Sequence, residues 1–525
     1  MNGGMIVCPQ PAAAEAGVAV LRRGGNAIDA AVTVAFVQGV IDPFMCGIGG
    51  SGVMLIHLAQ PHQDRQEVIE FYARAGADVR ADQWEHLFIR EAADRYGYVL
   101  QDWVNDCGYQ SVGVPGTVAG LSEALRRHGT ISWAEALQPG VEAARAGMLV
   151  TGNFRNYLIT DYGPDVAPSW QRIRWTPESR RIYTKDGQDY RLGELIANPD
   201  LARTYERLAG AGPEDFYHGE IAAAIVSDFA GNGGFINAQD LAGYQPLVSE
   251  PVAGSYRGRR LMTAGPPAGG MTLLQMLNYL EGFDPSGVGW PSAEAARRRV
   301  EAMSWAMAER EEHLADPLFT SVPVAELTAK EYAAAARAMR DSPTTTHVCV
   351  VDGEGNAVSM THTLGSSSGV VTPGLGFMWN NYLNCFDPRP GRVNSLAPGK
   401  TRVTMMVPTM VMSNGRPQFV LGAPGGTRIV NGVLQTLLNL IDHDMTPIEA
   451  VSAPRVDFQG ETVQAELRIP ADVLASLAEL GFSVCQRPMS YDSYFSRVQL
   501  IEVGAGGRLT GASDPRGDGG IALQD

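Results

Sequence analysis

The feature that most constrains the fold is a pair of short β-rich runs joined by a turn, late in the chain. Val348–Val351 contains three valines and a cysteine, residues 353–356 have turn composition, and residues 357–364 alternate apolar with hydroxyl side chains. Two such runs around a glycine turn predict an antiparallel hairpin. Successive side chains of a strand point to opposite sides, so Ser359, Thr361 and Thr363 line one face.

Three threonines, 344–346, precede this hairpin, where a helical pattern stops. Residues 324–340 predict an alanine-rich helix, and Pro343 bars its continuation. Hydroxyls placed where a loop becomes a buried strand suit self-cleavage: the Thr345 hydroxyl would attack the carbonyl of Thr344, and ester hydrolysis would free Thr345 as a new N-terminus. That residue would then carry its own base, an α-amine with a pKa of about 7.7–8, beside a hydroxyl too weak to attack unaided.

The threonine run has a second interpretation, a polar loop that enters a strand, and residue types alone leave both open. Hairpin geometry bears on the choice. If the strands close across residues 353–355, Thr363 falls opposite Thr345 or one residue away. The two hydroxyls would then be within hydrogen-bond reach of each other.

Composition restricts the class of protein and its partners. The 525 residues are 45% hydrophobic and 19% charged, with a formal charge of −16, which is typical of a globular chain able to bury a large core. Without a clustered basic stripe, nucleic acid and anionic membrane are poor partners. The N-terminus lacks signal-peptide character, no apolar run reaches a membrane span, and the six cysteines are scattered. We therefore expect a cytoplasmic protein with reduced thiols.

Residues 47–52 formally match the GxGxxG pattern of dinucleotide sites. Such a site needs a strand before the glycines and a helix after them. Here an apolar helical pattern precedes them and a strand-like run, residues 53–56, follows. The pattern therefore predicts close backbone approach and not a nucleotide site. His57, His62 and residues 442–444 also lack the spacing of metal ligands, so we predict no metal site.

Several stretches closely resemble the gamma-glutamyltranspeptidase family. They are Thr-Thr-His at 345–347 with 350–352, 355–358 and 361–364; the glycine-rich opening at 22–31 and 47–52; and the segments 111–121, 216–221, 232–234, 265–277, 419–429 and 511–516. The resemblance covers nearly the whole chain. Members of this family are N-terminal-nucleophile hydrolases made as one proenzyme.

The resemblance implies an α+β fold, a four-layer αββα sandwich with mostly antiparallel sheets, and no cofactor. Segments 1–344 and 345–525 would be the large and small subunits of one precursor and together form one αββα unit. Thr345 would be the nucleophile and Thr363 the residue that orients it. Gly425 and Gly426 would form the oxyanion hole. From residue types alone, this glycine pair before a helix is also consistent with a simple tight turn.

The chain departs from the family where members bind the glutamyl α-ammonium and α-carboxylate. The residues at those positions here are Tyr72, Gly365, Tyr382, Cys385, Thr404 and Met405. Arg74 is a candidate substitute for the family's carboxylate-binding arginine, although its side chain would point to the other face of the strand. An ammonium without acceptors in a partly dry pocket is costly. Residues 386–404 are also short for the family, which suggests a reduced lid.

The sequence therefore predicts a self-processing amide hydrolase or acyltransferase that cleaves a small acyl amide through a Thr345 ester. The altered pocket favours an acyl specificity like that of oxamate amidohydrolase or glutaryl (cephalosporin) acylase. Two alternatives stay open: a true glutathione hydrolase or gamma-glutamyltransferase, and an uncleaved, non-catalytic binding relative. The expected partners are a small amide and the two subunits of one precursor, with a homo-oligomer left open.

Overall fold

Two large sheets form the centre of the computed structural model, which describes residues 3–59, 65–92, 97–160, 163–335 and 347–524. Their strands, in chain order, are β1 (Met5–Cys8), β2 (Ser51–Leu58), β3 (Arg65–Phe71), β4 (Leu247–Ser249), β5 (Val252–Tyr256), β6 (Arg259–Thr263), β7 (Val348–Val351), β8 (Ala357–Thr363), β9 (Thr409–Ser413), β10 (Arg416–Gly422), β11 (Gln499–Val503), β12 (Leu509–Ser513) and β13 (Gly520–Leu523). The first sheet has the order β4-β3-β2-β8-β7-β1-β13, and the second has the order β5-β6-β9-β10-β11-β12. Every pairing within these two sheets is antiparallel.

The longer helices flank the sheets. They are α1 (Pro11–Arg22), α2 (Ala27–Ile41), α3 (Thr117–His128), α4 (Trp133–Ala146), α5 (Pro199–Ala211), α6 (Glu220–Gly231), α7 (Gly270–Glu281), α8 (Ala293–His313), α9 (Ile429–Ile441) and α10 (Ala471–Glu479). Shorter helices are Gly152–Ile159, Ser169–Arg172, Pro177–Tyr183, Glu214–His218, Ala238–Ala242, Val324–Leu327, Lys330–Ala335 and Pro447–Ser452. The smaller sheets consist of Val456–Phe458, Thr462–Ala465 and Ser483–Gln486; Phe88–Glu91 with Tyr98–Leu100; Met148–Leu149 with Leu195–Ile196; and Thr184–Lys185 with Gln188–Asp189.

Alternation along the strands assigns each face to a layer. In β7, Val348 and Val350 pack among the side chains of α1 to α6, whereas Cys349 and Val351 pack between the two sheets. The outer face of the second sheet packs against α7 to α10. Because both faces of each sheet are covered, central strands such as β7 and β8 are fully buried, whereas edge strands such as β4 and β5 are partly exposed. The result is the four-layer αββα sandwich that the sequence predicted.

Strands from before and after position 345 are interleaved in both sheets. In the first sheet, β2 pairs with β8 and β1 pairs with β7. In the second sheet, β6 pairs with β9. Neither segment 1–344 nor segment 345–525 therefore has a sheet of its own among these two.

The structure confirms two of three local predictions made from the sequence. The hairpin is confirmed, with Val348 opposite Met360 and Val351 opposite Ala357. The glycine-rich residues 47–52 follow α2 and lead into β2, which confirms that they lack the strand–loop–helix context of a nucleotide site. The single helix predicted over 324–340 is wrong: Val324–Leu327 and Lys330–Ala335 are separate helices, and residues 336–340 lie outside the described residues. The Thr328 hydroxyl donates to the carbonyl of Val324, closing the first of them locally.

Candidate active site

The hydroxyl-bearing face of β8 points into the space between the sheets. Ser359 donates a hydrogen bond to the Leu421 carbonyl of β10 (3.0 Å), which joins the two sheets directly. Two residues on, Thr361 lies 2.9 Å from Nδ1 of His347. All three side chains are fully buried. The face that the sequence predicted to carry hydroxyls is thus part of the inter-sheet interior.

His347 fixes the start of the hairpin against the second sheet. Its Nε2 lies 3.2 Å from the Ser359 hydroxyl, and because Ser359 donates to Leu421, Nε2 carries the proton and Nδ1 accepts from Thr361. Burial lowers the pKa of His347 to about 3, so the ring is neutral. A Cβ on Gly422 would lie 2.3 Å from this ring, so only glycine fits there.

Thr363 ends β8 and is buried, with Ser51 of β2 opposite it. Its oxygen accepts the backbone N–H of Gly365 at 2.8 Å, which holds the side chain in place and leaves its own proton to be donated. Gly365 has a φ of +74°, a conformation that glycine adopts without strain. The predicted nucleophile, Thr345, lies outside the described residues.

The predicted oxyanion glycines lie at the corresponding end of β10. Gly425 and Gly426 have φ values of +139° and +62°. A Cβ on Gly425 would lie 2.5 Å from the Cα of Ser496, so this position requires glycine. A short 3-10 turn, Gly426–Arg428, leads straight into α9, whose N-terminus favours negative charge.

β8 and β10 end at the same edge of the sandwich. Ser359 contacts Leu421, and two residues further along β8, Thr361 contacts the same His347 ring that packs on Gly422. Both strands therefore run toward the same edge of the sandwich, where β8 reaches Thr363 and β10 continues to the glycine pair. This edge is where an attacking hydroxyl and oxyanion donors would have to meet.

Tyr72 is at the same edge of the first sheet. Phe71 pairs with Gly52, and Thr363 pairs with Ser51, the residue before Gly52. Tyr72 follows Phe71 and therefore lies at the same end of the sheet as Thr363. Its side chain packs between the sheets with that of Tyr382. Both phenol oxygens are buried and have no hydrogen-bond partner among the residues that the structure describes. Burial raises the pKa of both phenols above their usual range, so both are neutral donors.

Two polar side chains beside this tyrosine pair, those of Arg402 and Glu70, were not predicted as site residues from the sequence. The Arg402 guanidinium lies 4.3 Å from the centre of the Tyr382 ring and donates to Asn384 (2.9 Å). Glu70, two residues before Tyr72 on β3, accepts a hydrogen bond from Ser249 at 2.5 Å. Burial raises the pKa of Glu70 to about 7. Strand alternation from Tyr72 would have identified Glu70, whereas no local pattern signals Arg402.

Arg74 is directed to a different set of partners. Its guanidinium donates to the Gln245 carbonyl (2.9 Å) and lies 5.1 Å from the centre of the Tyr244 ring. The Tyr244 hydroxyl in turn donates to the backbone carbonyl of Tyr72 (2.7 Å). Arg74 is thus close to Tyr72 in sequence, but its guanidinium contacts residues 244 and 245.

The remaining predicted pocket residues are distributed over two neighbouring places. Thr404 is buried and its N–H donates to the Pro267 carbonyl (2.9 Å). Met405 packs in the core beneath α7, and it is Met406 that packs with Tyr72 and Tyr382. Cys385 is half-buried and lines a separate cavity of about 390 Å³.

That cavity is the size of a small-molecule site and has a polar wall. Tyr98, Asp387, Arg389 and Arg392 line it together with Cys385 and Val403. Val403 directly precedes Thr404, so the cavity adjoins the segment that the sequence assigned to substrate binding. Arg389 is already paired with Asp387 (2.8 Å) and Glu91 (2.7 Å).

No group of three or more His, Cys, Asp or Glu side chains is arranged to hold a metal ion within the described ranges. In the same part of the chain, each helix is too short or too polar to span a lipid bilayer.

Known proteins with this arrangement identify the family. Residues 13–524 match the family model described as Gamma-glutamyltranspeptidase. The chain belongs to the gamma-glutamyltranspeptidase family. It is 39% identical over 534 aligned positions to the Acylase ACY 1 proenzyme of Pseudomonas sp. (strain V22), which covers 98% of this chain and 92% of that protein. It is 34% identical over 555 positions to the Glutathione hydrolase proenzyme of Escherichia coli (strain K12), with 98% and 90% covered.

Among solved structures, the chain is similar to cephalosporin acylase from Bacillus halodurans, with a TM-score of 0.89, 28% identity, and 99% of this chain and 96% of that chain covered. The family resemblance, the fold class and the expectation of an enzyme of the N-terminal-nucleophile type are confirmed. The edge of the sandwich that carries Thr363 and the glycine pair is thus part of a gamma-glutamyltranspeptidase fold.

Proposed function

We propose that the chain is a proenzyme that cuts itself before Thr345 and then hydrolyses a small acyl amide, with an acylase-like specificity. Segments 1–344 and 345–525 are the resulting subunits. Both relatives named above are called proenzymes. Counting the hairpin register on from its last described pair, Val348 with Met360, matches position 345 with Thr363, which supports Thr363 as the partner of the nucleophile.

In the proposed reaction, the α-amine of Thr345 accepts the proton of the Thr345 hydroxyl as the oxygen attacks the acyl carbonyl. The Thr363 hydroxyl donates a hydrogen bond to the attacking oxygen and orients it. The N–H groups of Gly425 and Gly426 stabilise the oxyanion. Collapse transfers the proton to the leaving amine and leaves a Thr345 ester, which water then hydrolyses to the carboxylic acid. No step requires a cofactor.

The acylase assignment rests on the buried phenols of Tyr72 and Tyr382. A phenol at neutral pH donates a hydrogen bond to an acceptor oxygen, but it carries no negative charge to balance an ammonium. Among the described residues, neither phenol oxygen has a hydrogen-bond partner. The two phenols suit an acyl group that offers an acceptor oxygen but lacks the α-ammonium of a glutamyl group. The 39% identity to an acylase supports the same assignment.

A substrate panel tests the specificity. Purified protein is assayed on matched anilides with γ-glutamyl, glutaryl and oxalyl acyl groups, and we expect turnover of one of the last two to exceed that of the first. Strong turnover of the γ-glutamyl anilide alone would refute the pocket argument and favour the second candidate, a glutathione hydrolase or gamma-glutamyltransferase. The 34% identity to a glutathione hydrolase is the observation in favour of that candidate.

Intact mass tests the processing separately. We expect two chains that separate between residues 344 and 345, and one uncut chain for Thr345→Ala. A wild-type protein that stays one chain and is inert toward all three anilides would instead fit a non-catalytic binding relative. The proposed location is the cytoplasm; none of the six cysteines, all within the described ranges, forms a disulfide, and cell fractionation checks it.

A further inference from the structure

Three arginines line a small cavity at the C-terminal end of α9, the end opposite to the predicted oxyanion glycines. It has a volume of about 40 Å³ and lies where α7, α8 and the end of α9 meet. Arg257, Arg298, Arg299, Asp442 and His443 line it, together with apolar side chains such as Phe283. Its volume exceeds the roughly 10–15 Å³ that a single water needs.

Arg299 is the member of this cluster without a counter-charge. It is 2% exposed, and no carboxylate oxygen lies within 4 Å of it in the described part of the chain. Its Nη2 donates to Asn439 (3.1 Å) and lies 3.2 Å from Nε2 of His443, and its guanidinium carbon is 3.6 Å from the centre of the Trp290 ring. Its Nη1 is buried and has no hydrogen-bond partner within the described ranges.

The neighbouring acids are committed elsewhere. Asp442 is 3.3 Å from Nε of Arg257 and accepts the hydroxyl of Tyr256 at 2.6 Å. Arg298 is paired with Glu294 at 2.7 Å. Both carboxylates are thus in direct contact with another arginine, and Asp442 attracts Arg299 only from beyond salt-bridge distance.

Arg299 keeps this charge at neutral pH. Burial lowers its pKa to about 9, which is still well above 7. Burial and the nearby Arg299 lower the pKa of His443, so its ring is neutral and adds no charge to the cavity. A buried charge is costly unless it is paired, and a single small anion in the cavity would pair it.

We propose that this cavity is a binding site for one small monovalent anion, a halide or a single carboxylate group, held by Arg299. One uncompensated guanidinium sets the charge, and the cavity volume sets the size. The site stabilises the packing of α8 on α9 and stands independently of the proposed acylase activity.

The test is thermal unfolding of the purified protein in the bulky sulfonate anion of a buffer such as HEPES, which has no carboxylate, replaced stepwise by chloride, bromide or formate at constant ionic strength. We expect Tm to rise with the logarithm of the anion concentration above Kd, by about 1–2 °C at tenfold excess over Kd. A larger rise in Tm with chloride or bromide than with formate identifies a halide site, and a larger rise with formate identifies a carboxylate site. The same Tm in all four salts would overturn the proposal.

Matched variants locate the effect. Arg299→Gln should lose the anion-dependent rise in Tm, and Arg126→Gln, which removes an exposed arginine paired with Glu123 on α3, should keep it. A full shift in Arg299→Gln would contradict the proposal. Should Arg299→Gln fail to fold, crystals of the wild-type protein grown in bromide decide: an anomalous peak beside Arg299 supports the site, and a cavity without bromide overturns it.

Discussion

Tyr72→Phe should stabilise the protein, because the hydroxyl it removes is buried without a hydrogen-bond partner. The side chain is 5% exposed and packs between the sheets with Tyr382 and Met406. Leaving a buried polar group unsatisfied costs about 1–3 kcal/mol. Since phenylalanine keeps the ring contacts, we expect the free energy of unfolding to rise by about 1 kcal/mol, the lower end of that range.

Tyr244→Phe is the matched control and should have the opposite sign. It removes the same atom from a tyrosine that is also 5% exposed. Here, however, the hydroxyl donates to the Tyr72 carbonyl at 2.7 Å. Losing that bond should lower the free energy of unfolding by about 1 kcal/mol. The two variants differ only in whether the deleted hydroxyl had a partner.

Scanning calorimetry at one fixed scan rate measures the difference. For a chain of this length, about 1 kcal/mol shifts Tm by roughly 1 °C, so the variants should melt about 2 °C apart. Tyr72→Phe should also lower kcat/KM for the preferred acyl amide by about tenfold, the value of one hydrogen bond. If Tyr72→Phe melts as far below wild type as Tyr244→Phe does, the Tyr72 hydroxyl has a partner and the reasoning fails.

Three further predictions concern the same edge. Gly425→Ala should lower kcat by roughly 10²–10³-fold, because its Cβ would collide with Ser496, whereas Gly258→Ala, also at positive φ but in open space, should leave kcat unchanged; steady-state kinetics compares them. Thr363→Val should slow self-cleavage and turnover by about tenfold or more, and Thr363→Ser should retain both, as gels and anilide assays would show. Because burial raises the pKa of Glu70 from 4.5 to about 7, its folded state binds the proton more tightly, so wild-type stability should fall as pH rises from 4.5 through 7. Glu70→Gln should flatten that fall in calorimetric scans, and an unchanged pH profile would contradict the assigned pKa.

The hairpin was predictable because its information is local. Alternation in residues 357–364 determines which side chains share a face, and the glycine turn determines the register. The structure follows both, with Ser359, Thr361 and Thr363 in the inter-sheet interior. The glycine pair was predictable for the same reason: a strand that ends in glycines before a helical pattern leaves little choice of backbone.

The pocket was less predictable because residues far apart in the chain form it. Tyr72 and Tyr382 meet only after both sheets are assembled, and no pattern near either residue reports the other. Met405 and Met406 illustrate a second difficulty. They precede β9 in an irregular segment, where alternation cannot assign faces, and Met406 rather than Met405 lies with the tyrosines.

Cleavage before Thr345 should not release either subunit, because the break would fall between strands that hold each other in the same sheets. β7 and β8, from the C-terminal segment, pair with β1 and β2 from the N-terminal segment, and β9 pairs with β6. Separating the segments would expose those strand edges and the core between the sheets. We expect the two chains to co-elute in equimolar amounts from a sizing column in native buffer, and to separate only in denaturant. Thr345→Ala, as one uncut chain, should elute at the same volume; two chains that elute apart without denaturant would show that the interleaved sheets do not hold the processed enzyme together.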